Sequence, residues 1–523
     1  MLQEYLSAFI QLVAGFGFAG LIIVLSVIFG RRARLQPAQD VPYECGNVPE
    51  GEGSPSYFSI KFYLVAILFL VFDLEVIFLY PWALGFQDVV MNNGEAFAAM
   101  TAFIGVLMVP LMFMLTKQLT KSTKLSFIAM CLMALDSMHF TQTRIATIDS
   151  FVVLFIIWAV YFMLYWFRMD FFEKPFWKTL LPLFFSGVFM GLSIASKWTG
   201  VYNIIALAVI FFWGFMRRLQ EWLAARKEAA QYEQKLHSTQ ANANRKKGTT
   251  TTAPEKALHV SKKGFMLWAT IALCIIFFIV IPLTIYYLSY IPYFAYDGGV
   301  TVEKVIHAAV GNYLETGELN NYDGMLGYHS QQGLGMDHDY YSPWYEWPVI
   351  AEPMYYYHHS HSTENATSTI MLLGNPGVWW VCLVGLAGIA VIAIYRHMRY
   401  DVYKYQHPGA ALRQDTFHFT QPWDFRYGLL ILCFLVQFMP WVLVPRGTYI
   451  YHYFTSIPFI ILCTAVCLDK MQERWPRKTL VLGAVILLTA LALFIGFFPY
   501  ASGVTVSRQW LESMQWFDRW IYF

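Results

Sequence analysis

Charge is what this sequence has least of. Of its 523 residues only 13% are Asp, Glu, Lys or Arg, against about 25% in an average soluble domain. The 36 basic and 34 acidic residues leave a net charge of +2, so there is no basic excess to hold a nucleic acid. Cysteine is sparse as well. The seven residues, at 45, 131, 274, 382, 433, 463 and 467, lie mostly in apolar runs and show no metal spacing. Cys463 and Cys467 are four apart on an expected helix and read as packing. A cleavable leader is missing too: the first apolar run is long enough to span, and Ala33-Arg34-Leu35 follows it in place of a small-residue cleavage site. What remains is 57% hydrophobic and 18% aromatic, the composition of an integral membrane protein.

Apolar runs of roughly 17–25 residues count as spans, and about twelve are present. They fall at 6–29, 60–85, 96–116, 125–141, 149–167, 178–196, 199–216, 264–289, 376–395, 427–445, 451–468 and 479–499. The expected fold is an all-α polytopic membrane protein. Placing Arg31-Arg32-Ala33-Arg34 in the cytoplasm and alternating sends most Lys and Arg inside. Outside remain Arg144, Lys197, Lys304, Arg446, Arg508 and Arg519, with Lys61 at a boundary. Both termini are then extracytoplasmic, in a multi-pass protein of the bacterial inner membrane type.

Five segments divide the chain. Residues 1–90 carry Tyr43-Glu44-Cys45-Gly46 in a Pro/Gly-rich loop and Phe72-Asp73-Leu74-Glu75 inside a span. Asp73 and Glu75 point about 200° apart on a helix, so they form no carboxylate pair and each needs its own partner. Residues 91–216 are a membrane core and 217–263 a basic cytoplasmic insert, with 217–235 a candidate surface helix and 236–256 a candidate linker. Residues 264–375 give one span and a large outside loop, and 376–523 give four further spans.

The stretch His139-Phe140-Thr141-Gln142-Thr143-Arg144-Ile145-Ala146-Thr147-Ile148-Asp149-Ser150-Phe151 lies between two apolar runs. Arg144 and Asp149 therefore sit at a membrane surface, where a charge is costly unless paired or wetted. A snorkelling Arg and a helix-capping Asp are the plain alternatives. Lys197-Trp198 falls at the same surface and is an aromatic-belt anchor or a phosphate-binding cation. In the large loop, Tyr340-Tyr341-Ser342-Pro343-Trp344-Tyr345-Glu346-Trp347-Pro348 can stack on sugar faces or pack onto the membrane. His329, Asp337, His338 and Asp339, and likewise His358, His359 and His361, match no zinc motif, so a divalent metal is possible but unsupported. Near the end, Pro445-Arg446-Gly447-Thr448-Tyr449-Ile450-Tyr451-His452-Tyr453-Phe454 offers Arg446, His452 and Tyr453 to a phosphate, or anchors the interface. All these clusters fall on one side by topology alone, which predicts one site open to a lipid headgroup.

Two resemblances attach to these motifs. The Tyr43–Gly46 loop and the Phe72–Glu75 helix resemble the A-type subunit of the NADH–quinone oxidoreductase, respiratory complex I. That resemblance ends near Asp88; it implies quinone- or proton-linked roles for Glu44, Cys45, Asp73 and Glu75, and complex I subunits as partners. The 139–151 stretch, Gly191–Tyr202, the Ser342–Pro348 block and the Arg446…His452-Tyr453-Phe454 pattern resemble protein O-mannosyltransferases. This second resemblance covers about 91–523 and implies a GT-C-like bundle, here preceded by the two complex I-like helices. It implies polyprenyl- or dolichyl-phosphate mannose as donor, a secreted or membrane protein as acceptor and no certain cofactor. Arg144, Lys197, Arg446, His452 and Tyr453 would meet the donor phosphate and lipid; Trp344, Glu346 and Trp347 would meet sugar or acceptor.

One departure matters. The family's catalytic Asp-Glu pair lies in its first outside loop, and this chain lacks that loop, having only Gln87-Asp88-Val89-Val90-Met91-Asn92-Asn93-Gly94-Glu95 between its second and third spans. Asp88, Glu95 and Asp149 are the carboxylates able to substitute as general base. The alternatives are a respiratory subunit with a passenger region and a non-catalytic glycolipid-binding membrane protein.

Overall fold

The computed structural model describes residues 95–520, apart from 146, 244–252, 313, 315–316, 318–323, 361–365 and 407–423. The expected spans 6–29 and 60–85, and Glu44, Cys45, Asp73, Glu75 and Asp88, lie outside the described residues.

Helix α1 (Glu95–Thr120) opens the described region, and α2 (Thr123–Ala134) follows a tight turn. Ser122 caps α2 by accepting from the Leu125 amide at 3.4 Å. Here the structure departs from the sequence reading. The run 125–141 is not one span: the helix stops at Ala134 and restarts as α3 (Ser137–Gln142). Asp136 causes the break. Its carboxylate accepts from the His139 amide at 3.1 Å, capping α3, and from Trp379 Nε1 at 2.8 Å and the Asn375 amide at 3.2 Å. A buried carboxylate is tolerable only with such donors, and a continuous helix would turn it away from them.

Then come α4 (Asp149–Arg168), α5 (Phe176–Ser196), a 3₁₀ turn at Trp198–Tyr202 and α6 (Asn203–Ala243). Helix α6 runs on through the basic insert to Ala243, and α7 (Ala253–Ile275) starts at Ala253, so both ends of the expected 236–256 linker are helical. A π-turn, Ile276–Val280, joins α7 to α8 (Ile281–Ser289). Pro282 explains it: proline lacks the N–H and crowds the preceding turn. The bulge meets α5 where Gly187 and Gly191 form a small-residue stripe; a Cβ on Gly187 would lie 2.1 Å from the Phe277 carbonyl oxygen.

The large loop holds α9 (Val302–Val310), α10 (Gly324–His329), a 3₁₀ turn at Trp344–Val349, and strands β1 (Met354–Ser360) and β2 (Ala366–Leu372). The four-helix tail is α11 (Pro376–Gln406), α12 (Phe425–Phe438), α13 (Ile457–Arg474) and α14 (Pro476–Ser502), ending in β3 (Val506–Ser507) and α15 (Arg508–Ser513). The three strands make one antiparallel sheet ordered β1-β2-β3, a small addition to the otherwise helical architecture.

Helix α13 is the axis of the core. Every residue from Ile457 to Val466 is buried, and α11 closes on it where Gly385 meets Thr464. Among the described residues, nine helical stretches are long and apolar enough to cross a membrane, and α2 is a shorter apolar helix. At one end of the bundle Arg426 bridges Asp424 at 2.5 Å and Asp469 at 2.6 Å. The loop, the sheet and most of the predicted polar clusters gather at the other end.

Candidate functional site

The site grows from helix ends. Asp149 is the first residue of α4 and Lys197 follows the last of α5, so packing these helices side by side brings the two together. Lys197 Nζ donates to Asp149 Oδ1 at 2.7 Å and stands 4.9 Å from the centre of the Tyr451 ring. Next to it, Trp198 Nε1 donates to the Tyr286 hydroxyl at 3.0 Å, fixing the turn to α8. Asp149 and Lys197, which the sequence placed only on the same side of the membrane, thus form an ion pair.

Arg446 enters on the turn before α13. That turn is zipped to the large loop: the Gly447 amide donates to the Leu334 carbonyl at 2.7 Å, the Gly333 amide to the Pro445 carbonyl at 3.0 Å, and Thr448 Oγ1 to the Ser342 carbonyl at 2.8 Å. The approach is so close at Gly447 that a Cβ would stand 2.3 Å from the Gly335 carbonyl oxygen. So held, Arg446 acts electrostatically on Tyr202, His329, Tyr449, Tyr451 and His452, and Lys197 acts on His329 and His452. Among the described residues no ion-pair or hydrogen-bond partner is found for the Arg446 guanidinium.

Two imidazoles complete the cluster. His452 is buried, stacked on Trp347 at 5.8 Å and packed on Trp441 at 4.1 Å; its Nε2 has no partner among the described residues. His329 Nδ1 is likewise buried without one. Burial first, and then Arg446 and Lys197, push the His329 pKa down, so the ring stays neutral near pH 7. A cationic cluster with a guanidinium unpartnered among the described residues and two unsatisfied ring nitrogens has the chemistry to meet an anion such as a phosphate. Sequence reasoning weighed His329 only as a metal ligand. Among the described residues no three His, Cys, Asp or Glu side chains are grouped to hold a metal ion.

Tyr356 belongs to the run Glu352-Pro353-Met354-Tyr355-Tyr356-Tyr357, which the sequence offers only as clustered loop aromatics able to stack on sugar faces. It lies beside Asp149 and within hydrogen-bonding reach of Gln142, and burial together with Asp149 pushes its pKa well up, keeping the phenol protonated. The signal available was weak: three successive tyrosines whose alternation on a strand is broken by a bulge.

Other predicted residues stand elsewhere. Arg144 donates to the Ala501 carbonyl at 3.3 Å and to the Ser502 carbonyl, closing the end of α14 instead of joining Lys197. Tyr453 is fully buried against Trp379, ring centres 4.9 Å apart. Trp347 is also fully buried, its Nε1 donating to the Ser342 carbonyl at 3.1 Å, so its face is not presented to a sugar. Trp344 packs edge-on to Phe438 at 5.3 Å. Glu346 pairs with Arg519 at 2.8 Å. Glu95 is the first residue of α1.

Between α4, α5, α6, α7 and the π-turn lies a half-open apolar groove of about 300 Å³, lined by Met163, Met190, Leu207, Phe211, Cys274 and Phe278 among others.

Comparison with known proteins settles the families. The model of NADH-ubiquinone/plastoquinone oxidoreductase, chain 3, matches residues 19–121. A curated A-type subunit of the NADH-quinone oxidoreductase, from Solibacter usitatus, is 40% identical over 95 residues, which is 18% of this chain and 68% of the relative. The model of dolichyl-phosphate-mannose-protein mannosyltransferase matches 75–227, and that of the C-terminal four-helix membrane region of protein-O-mannosyltransferase matches 324–520. The chain joins two families. Its amino-terminal part belongs to the A-type subunits of NADH-quinone oxidoreductase, and its larger part is a protein O-mannosyltransferase region. The oxidoreductase match runs past Asp88 and through α1, so the third helix of that family is recognisable after all and α1 is shared by both matches. Over the O-mannosyltransferase region the chain is similar to the polyprenol-phosphate-mannose–protein mannosyltransferase of Mycolicibacterium smegmatis, 22% identical over 495 residues, covering 85% of this chain and 80% of the relative. The fold matches a chain of the Saccharomyces cerevisiae Pmt1–Pmt2 O-mannosyltransferase complex, with a TM-score of 0.54 at 12% identity and 82% and 81% coverage.

Proposed function

We propose that this chain is a membrane glycosyltransferase that moves mannose from a polyprenyl- or dolichyl-phosphate carrier to Ser or Thr hydroxyls of a polypeptide. The carrying observation is the cluster of Lys197, Arg446, His329 and His452, cationic and with an unpartnered guanidinium among the described residues. The M. smegmatis relative, named for this donor and reaction class, supports the reading. The cluster takes the donor phosphate, and the apolar groove between α4 and α7 takes the first isoprene units. The site faces the extracytoplasmic side of a bacterial inner membrane, the orientation that leaves most Lys and Arg in the cytoplasm.

In the transfer, the acceptor hydroxyl oxygen bonds to C1 of mannose and the C1–O bond to phosphate breaks. The hydroxyl proton passes to a carboxylate, and polyprenyl phosphate leaves with the extra charge held by Lys197 and Arg446. Asp149, paired with Lys197, is the leading candidate for the base; Asp88 and Glu95 are the other candidates. A test is transfer of labelled mannose from polyprenyl-phosphate mannose to a Ser/Thr peptide by the purified chain in lipid. Donor bound without any transfer would leave only the non-catalytic glycolipid-binding reading.

The oxidoreductase match favours a second role for residues 1–90, attachment to complex I subunits. Co-purification of those subunits with the full chain, lost on deleting 1–90, is its test.

A further inference from the structure

The sheet order leaves the outer edge of β1 without a strand partner among the described residues. Natural edges are usually blunted by Lys, Pro or inward-pointing charges. Met354-Tyr355-Tyr356-Tyr357-His358-His359-Ser360 has no Lys, acid or proline. The strand is also bulged: Tyr355 pairs with Met371 and Tyr357 with Ile370, so Tyr356 is an extra residue. Bulges re-aim a side chain and gather beside active sites. This one turns Tyr356 toward Asp149 and Gln142. The direction of the remaining backbone follows from two threonines. Thr369 Oγ1 donates to the Tyr357 carbonyl at 3.1 Å and Thr367 Oγ1 to the His359 carbonyl at 3.4 Å, so those carbonyls face β2. Alternation along the strand then points the N–H and C=O of His358 outward.

We infer that the outer edge of β1 binds the acceptor polypeptide as an added strand, laying the Ser or Thr to be modified beside Asp149. The inference rests on the transfer reading for its choice of occupant. An extended peptide is what unpaired edge amides and carbonyls complement, and main-chain pairing grips it with little regard to side-chain identity. The bulge sets the register, because the added strand passes Tyr356 where the ladder is interrupted and the site opens. Tyr355, stacked on Tyr340 at 5.8 Å, and the exposed Tyr357 flank that point and offer ring faces to residues on either side of the modified one.

The test is binding of a fluorescent peptide with a single Ser to the full chain in lipid nanodiscs, read by anisotropy, with mannose transfer followed in parallel. Peptides N-methylated at one amide each are compared along the sequence. Methylation at every second residue weakens binding about tenfold, the loss expected for one hydrogen bond and its clash, and the intervening positions change little. His358→Pro, which removes an outward N–H and, of the contacts with β2, only the 3.4 Å one between the His358 ring and Thr367 Oγ1, weakens the unmethylated peptide similarly and leaves polyprenyl-phosphate binding unchanged. No peptide binding, or methylation effects without a period of two, overturns the inference, and the methylation series does so on the unaltered protein. Two-residue periodicity without transfer would keep the strand site and defeat the transfer reading.

Discussion

Lys197 Nζ lies 2.7 Å from Asp149 Oδ1, tying the end of α5 to the start of α4 across 48 residues of sequence. The pair orients both groups. Lys197 stands over the Tyr451 ring, and Asp149 and Arg446 both act electrostatically on that tyrosine.

Asp149→Asn removes the carboxylate but keeps the shape. If Asp149 is the base, transfer falls about 10²–10⁴-fold while donor binding persists, since Lys197 and Arg446 remain. Rates for Asp88→Asn and Glu95→Gln, measured beside it, assign the role to whichever carboxylate shows this split between turnover and binding.

Arg144→Ala acts on stability. The guanidinium donates to two carbonyls at the end of α14 and is only partly buried, so its loss lowers unfolding free energy by about 1 kcal/mol. Thermal unfolding in nanodiscs should shift slightly, with donor KM unchanged.

His329 gives the site a pH limit. Its pKa in the folded chain is lowered from an ordinary 6.5, first by burial. Folding therefore favours the neutral ring. That stability is complete above about pH 6.5 and declines as pH falls below it, because the unfolded chain takes up the proton first. His329→Gln flattens the acid limb of a stability–pH curve.

Gly187→Leu puts a side chain where a Cβ alone would stand 2.1 Å from the Phe277 carbonyl oxygen. Helix α5 must then part from the π-turn. The cost is about 3 kcal/mol, or failure to fold, seen as a large drop in unfolding temperature or in yield of monodisperse protein.

Spans and the charged end were legible because hydrophobic run length and basic-residue bias are local properties of sequence. Nine of the expected spans coincide with long apolar helices among the described residues, although the one expected at 199–216 continues as helix to Ala243. The break at Asp136 was not legible, since the donors that stabilise it, Trp379 and Asn375, arrive from α11 and the turn before it. For the same reason Arg144 looked like a ligand: its carbonyl partners lie 357 and 358 residues away. Trp347 and Tyr453 share a composition with interfacial aromatics, and only the packing of the large loop onto the turn before α13 shows them to be core. Tyr356 needed the strand register. Asp149, Lys197, Arg446 and His452 were singled out because a charge or imidazole at a membrane boundary has few inexpensive roles.

The most direct measurement is transfer rate against polyprenyl-phosphate mannose concentration for the wild-type chain and for Lys197→Ala and Arg446→Ala. Saturable transfer by the wild type is expected, with donor KM raised about 10–100-fold in each variant, the loss of one charge-assisted contact to phosphate. No transfer by the wild type, or transfer with donor KM unmoved by either substitution, would contradict the account.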